Sequence, residues 1–194
     1  TGAGSGIGRA TAVLFAKEGA KVVVADIDPE KGEEIVRIVK DGGGEATLVK
    51  ADVTRAADAE KMVRTAIEKY GKLDILHNNV GVELVRTVVD TTVEEWERVM
   101  DVNLKGVFLC SKYAIPEMMK RGGGVIINTA SEVGLVGGGN LAAYSASKGG
   151  VVLLTKAMAI DCAPHIRVNC ICPALILTPM LERSVVAYED PEER

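Results

Sequence analysis

The chain has no cluster of lysine or arginine, no apolar run of membrane-spanning length, and no repeat or low-complexity tract. The first absence, together with a formal net charge of -4, removes the electrostatic footprint of a nucleic-acid binder, and the second removes a membrane span. With 47% hydrophobic and 26% charged residues, an ordinary globular protein is expected rather than a disordered or fibrous one. Cysteine is sparse. Its four positions, 110, 162, 170 and 172, match neither a zinc pair nor a thioredoxin-type redox pair, so they read as buried thiols in a reducing, cytoplasmic compartment. Cys170 and Cys172 fall on one side of a strand, where core filling is expected. Only two histidines occur: His77 reads as strand core and His165 as an exposed turn residue, neither a ligand. No metal is expected, and the partner that remains is a small molecule.

What is present is alternation. Apolar runs at 21–27, 46–53, 74–78, 125–130 and 167–172 are nearly continuous in Val, Ile and Leu, as expected of strands covered by helices on both faces. Helical periods fill 6–18, 30–41, 56–70, 93–120 and 142–162. With right-handed crossovers this order gives an α/β fold, a doubly wound parallel sheet in one domain over 1–194. Asp28 before Pro29 is an N-cap with proline at the first helical position, so Asp28 has a structural task that Asp26 lacks. Trp96 and Met100, Met118 and Met119 share one helical stretch and read as core or subunit contact. Both ends look cut: a strand is expected before residue 1, and the tail closes no further strand.

The chain opens with Thr-Gly-Ala-Gly-Ser-Gly-Ile-Gly. A pyrophosphate needs backbone N–H groups at close range and the positive end of a helix, and Gly2, Gly6 and Gly8 supply places where a Cβ would block approach. Such a turn alone is more often only a loop. Asp26 ends a strand eighteen residues past Gly8, where an acid accepts from adenosine ribose hydroxyls; a carboxylate there repels a 2′-phosphate, and no Arg or Lys stands beside it, which favours NAD over NADP. Asp52, Asn78, Asn79 and Gly81 lie at strand carboxyl ends, where ligands of open sheets bind and where turn residues are also common.

Tyr144 and Lys148 are one helical turn apart, and Ser131 stands thirteen positions before Tyr144. Moving a hydride from an alcohol requires a base for the hydroxyl proton. A phenol reaches that role only if its pKa falls from about 10 toward neutrality, about 4 kcal/mol. A cation about 4 Å away at an effective dielectric of about 20 supplies roughly that much, and Lys148 is placed to be it. Ser131 would hold the substrate oxygen, and Asn103 would order a water near Lys148. Each residue alone has a plain structural reading as a helix, turn or solvated position.

Thr-Gly-x-x-x-Gly-x-Gly, Asn-Asn-x-Gly, the Ser thirteen before the Tyr, Tyr-x-x-x-Lys and Arg-Val-Asn-x-Ile-x-Pro occur in order across 1–180. In this the chain closely resembles the short-chain dehydrogenase/reductase family. The resemblance implies a single-domain Rossmann-type oxidoreductase with Asn103, Ser131, Tyr144 and Lys148 as its tetrad, Lys148 also binding nicotinamide ribose. It implies that Thr178 contacts the carboxamide and that the Ile176 backbone approaches it. The expected cofactor contacts then comprise Gly2, Ser5, Gly6, Ile7 and Gly8; Asp26, Asp52 and Val53; Asn79 and Gly81; Tyr144 and Lys148; and Pro173, Ile176 and Thr178. A homodimer or homotetramer is implied, with the helices at 93–120 and 142–162 packing across a two-fold axis.

The pattern has departures. Val80 replaces the usual alanine and adds bulk near the cofactor, and Ala174 replaces a usual glycine, costing about 1 kcal/mol if positive φ is needed. The turn around Pro164 looks one residue short, and without a first strand the stretch should fold poorly alone. The reading is an NAD-dependent oxidoreductase of a secondary alcohol or ketone, roofed by residues from Pro179 onward. Other readings are a silent dinucleotide-binding protein, a 3-oxoacyl-thioester reductase, or an epimerase or dehydratase, whose glycine spacing differs.

Overall fold

The computed structural model describes residues 1–189. Five strands alternate with helices in the expected order. Helix α1 (Gly6–Lys17) leads to β1 (Val22–Asp26), α2 (Pro29–Asp41), β2 (Ala46–Lys50), α3 (Ala56–Tyr70) and β3 (Ile75–Asn78). Then follow α4 (Val93–Met100), a π-helical turn (Asp101–Lys105), α5 (Gly106–Lys120), β4 (Gly124–Thr129), α6 (Val133–Val136), α7 (Ala142–Asp161), β5 (Ile166–Ile171) and α8 (Pro179–Glu189). All strand pairs are parallel, in two sections ordered β1–β2 and β3–β4–β5.

Alternation along β1 shows why helices cover both faces. Successive side chains point to opposite sides. Val24 packs with Ala12, Ala16, Ile35 and Val39 of α1 and α2, whereas its neighbour Ala25 joins Met62, Val63, Cys110 and Ala114 of α3 and α5. The fold is therefore doubly wound, with Ile126 of β4 fully buried in the larger core. Asp28 caps α2 through bonds from the Glu30 and Lys31 amides, with Pro29 at the helix start.

β1 and β3 are not paired with each other. Thr1–Ala3 bridges them at one end: the Ala3 N–H donates to Ala25 O (3.3 Å), and the Thr1 amino group donates to His77 O (2.9 Å). The remaining gap is a cavity of about 380 Å³ lined by Val22, Val23, Ile75, Leu76, Phe15 and Met62.

The structure refines several of these expectations. The helix at 93–120 is two helices joined by the π turn, because the Asn103 amide is drawn out to the loop after β3; π turns of this kind recur at functional sites. Met118 is fully buried and belongs to the core, whereas Trp96 and Met119 are exposed and keep the subunit-contact reading. Cys170 and Cys172 are half-buried, while Cys110 and Cys162 are buried. Residues 133–136 and 179–189, left without an element, are helical. Ala174 needs no left-handed backbone, since among the described non-glycine residues only Asn140 has positive φ. His165 is exposed as expected, and the Cys162 carbonyl closes its turn by accepting from the His165 and Ile166 amides.

Candidate active site

The glycine turn folds as a cradle at the start of α1. Gly2 and Gly6 have φ of +63° and +52°, which side chains avoid. A Cβ on Gly8 would lie 2.0 Å from the Gly2 carbonyl oxygen, so close approach inside the turn requires glycine. Ser5 makes no side-chain cap, leaving the first-turn amides of α1 open to an anion. On Gly6 a Cβ would meet Thr178 Cγ2 at 3.3 Å, so Thr178 arrives over the helix start from the far end of the chain.

Asp26 stands at the carboxyl end of β1 with both oxygens fixed, Oδ2 accepting from Gly4 N (2.7 Å) and Oδ1 from Asp28 N (2.9 Å). One lone pair on each oxygen remains for ribose hydroxyls. Lys31 borders this turn, contrary to the expectation of no cation nearby, but its ammonium pairs with Asp28 at 3.3 Å. Asp52 holds its own turn, accepting from the Thr54 amide and hydroxyl, and Asn79 stitches β3 to the cradle by donating to Thr1 O (3.3 Å). Asn78 is elsewhere: it is buried and donates to Asn128 and Ser111.

Tyr144 and Lys148 sit on α7, both buried. The Lys148 ammonium donates to Thr129 O (2.8 Å) and lies 5.6 Å from the Tyr144 ring centroid. Gly81 makes room for it, since a Cβ there would stand 3.2 Å from Lys148 Nζ and 3.5 Å from Asn103 Oδ1. Asn103, fully buried in the π turn, donates to Val82 O (2.9 Å) and Ser147 Oγ (3.0 Å) and accepts from Val82 N (2.8 Å). Its amide thus locks the loop after β3 onto α7. Burial pushes Lys148 down to about 8. Tyr144 is pushed up to about 12, mainly by burial and next by the Glu83 carboxylate, against a lowering hydrogen bond with Ser131. Desolvation dominates the phenol, and Lys148 is not among the groups that move it.

The cradle, Asp26, Ser131, Tyr144 and Lys148 converge on one cavity of about 410 Å³. Gly2, Ser5, Gly6, Ile7, Asp26, Asp52, Val53, Asn79 and Gly81 line one part, and Ser131, Tyr144, Lys148, Pro173, Ile176 and Thr178 the other. Gly8 and Asn103 lie behind this wall and shape it from within. The fixed carboxylate, the uncapped helix start and a turn that any Cβ would fill suit a dinucleotide. Val80 also lines the cavity and presses on Gly2. Pro179, Met180, Leu181 and Arg183 line it from the expected roof, and Glu83, Val133 and Leu141 line it too without having been marked by any local pattern, since loops and a distant helix bring them there.

The family model described as short chain dehydrogenase matches residues 1–188. An uncharacterized oxidoreductase of Thermotoga maritima is 46% identical over 194 residues, covering 100% of this chain and 76% of that protein. A cyclohexanol dehydrogenase of Acinetobacter sp. strain SE19 is 42% identical, over 93% of this chain and 73% of its own length. The crystal structure of a 3-ketoacyl-(acyl-carrier-protein) reductase from Brucella melitensis complexed with NADH superposes with a TM-score of 0.89 at 40% identity, over 93% of this chain and 75% of that one.

Proposed function

The chain belongs to the short-chain dehydrogenase family of oxidoreductases, and from that premise we propose that it transfers hydride between a secondary alcohol or its ketone and NAD, with Tyr144 as acid and base. The observation that carries this reading is the meeting of Tyr144, Ser131 and Lys148 with the glycine cradle and Asp26 in one cavity. The nicotinamide, when bound, supplies the hydride acceptor or donor. The cyclohexanol dehydrogenase and the NADH-complexed relative support the alcohol substrate and the cofactor.

The chain's own groups handle the proton and the alignment. Ser131 bonds to the Tyr144 phenol and holds the substrate oxygen beside it, so the proton passes between that oxygen and Tyr144 Oη. A phenol raised to about 12 keeps its proton near neutrality, the form that donates in ketone reduction. As a base for alcohol oxidation it needs added positive charge, which the oxidised nicotinamide would supply beside the ammonium that Lys148 keeps below about pH 8. Asn103 keeps the loop carrying Gly81 and Val82 against α7, so the ammonium retains its place. Asp26 favours a ribose bearing a free 2′-hydroxyl, since a 2′-phosphate would face its fixed carboxylate. The same reading makes the molecule a homodimer or homotetramer: Phe108 on α5 and Leu153 and Ile160 on α7 are exposed at 47%, 66% and 78% and offer an apolar contact.

The test is turnover of a panel of secondary alcohols with NAD and NADP, followed by reduced-nicotinamide absorbance. NAD should be favoured, and Tyr144→Phe should lower kcat by roughly a thousandfold or more with cofactor affinity nearly kept. Binding of cofactor without turnover of any alcohol or ketone would instead favour the silent nucleotide-binding reading.

A further inference from the structure

Glu83 lines the cavity and has no part in the proposed chemistry. It lies in the loop after β3, half-buried, lining the same cavity as Tyr144 and Ser131, and no other described group bonds or ion-pairs with its carboxylate. The backbone beside it is fixed. Val82 is clamped at both N–H and C=O by Asn103, and Val85 is buried against Leu141 and Tyr144, so the carboxylate is carried on an anchored segment. Arg183 of α8 lines the cavity too, but it is exposed and forms no ion pair with Glu83.

This placement is unfavourable twice over in the empty site. A partly desolvated carboxylate lacks a partner. Its charge also opposes formation of the phenolate, and Glu83 is the second cause of the raised Tyr144 phenol. Both penalties are relieved by the same event, the arrival of a donor next to Glu83 together with the reacting carbon. Mono-alcohols and 3-oxoacyl thioesters bring only the reacting oxygen or acceptors, and anionic hydroxy acids bring a like charge.

Resting on the oxidoreductase reading above, we propose that Glu83 is a specificity residue that accepts a hydrogen bond from a second donor of the substrate, so that the preferred substrates are vicinal diols, hydroxyketones or amino alcohols. The hydroxyl or ammonium donates to the carboxylate while the neighbouring carbinol meets Ser131 and Tyr144. Charge-assisted bonds of this kind separate substrates strongly, because loss of either partner strands the other.

The experiment measures kcat/KM of the complete enzyme, wild type, Glu83→Gln and Glu83→Ala, on 1,2-cyclohexanediol, 2-aminocyclohexanol, cyclohexanol and a 2-hydroxy acid, each across pH. In the wild type the diol or amino alcohol is expected to exceed cyclohexanol, and in Glu83→Ala that ratio should fall roughly tenfold to a hundredfold. Glu83→Gln should keep part of the diol preference, lose the amino-alcohol preference, and shift the ascending, acid-side limb of the cyclohexanol oxidation profile to lower pH. Thermal melts of the isosteric Gln variant separate this from misfolding. A diol-to-monool ratio and a pH profile that are both unchanged in the two variants overturn the role of Glu83 while leaving the oxidoreductase reading intact. Wild-type preference for the hydroxy acid also overturns it, pointing to Arg183. No turnover of any of the four substrates by the wild type overturns both.

Discussion

At the scale of single residues, the site is governed by which ionisable groups are desolvated and which are held. Lys148 and Tyr144 were legible as a pair one helical turn apart, but their burial was not, and burial is what moves them in opposite directions, to about 8 and about 12. His77 obeys the same physics away from the chemistry. Burial lowers it to about 4, and its Nε2 is 2.9 Å from Thr129 Oγ1. Its folded pKa lies below the ordinary value of about 6.5, so the unfolded chain takes the proton first, and stability is full above about pH 6.5 and lost as pH falls toward 4. Urea unfolding at about pH 7 and about pH 4.5 should show a loss that is smaller in His77→Gln by roughly 2 kcal/mol, with the discount that a half-buried ring requires. Equal losses in both proteins would show that the ring titrates normally in the fold.

At the scale of elements, the helix cap at α4 reaches the site. Thr92 and Glu95 form a reciprocal capping box, and Glu95 also pairs with Arg86 at 3.0 Å. Arg86 N donates to Asn140 O, and Arg86 bridges to Leu141, the residue from which α7 and Tyr144 depart. Glu95→Ala should therefore destabilise the fold by about 1–2 kcal/mol, more than an exposed pair alone, and should raise KM more than it lowers kcat. Chemical denaturation and steady-state kinetics of the variant measure both. The tie of Glu95 to Arg86 is not written locally, because the two residues meet only when the loop after β3 folds back. The π turn escaped notice for a related reason: 93–120 has a helical period throughout, and only the pull of Val82 on Asn103 opens it.

At the scale of the whole molecule, sheet order follows from continuous apolar strands, and the faces follow from their alternation. The outer faces of α5 and α7 remain apolar at Phe108, Leu153 and Ile160. If these faces join copies of the chain, Leu153→Glu combined with Ile160→Glu should shift the light-scattering mass to a smaller species, with far-ultraviolet circular dichroism retained. Unchanged mass would place the contact elsewhere. Among the described residues no helix is long and apolar enough to cross a membrane.

The sequence by itself determined the glycine cradle, the acid at the end of β1, the Ser, Tyr and Lys of the site, and the parallel α/β order, because each is written in local spacing or in the period of a single element. Tertiary structure alone decided that Ala174 sits without strain, that Asn103 is a brace, that Thr178 covers the cradle, and that Glu83 shares a cavity with Tyr144. Those facts depend on contacts between residues far apart in the chain. Desolvation and charge at such contacts are properties of the packed cavity, and no local pattern of residue types encodes them.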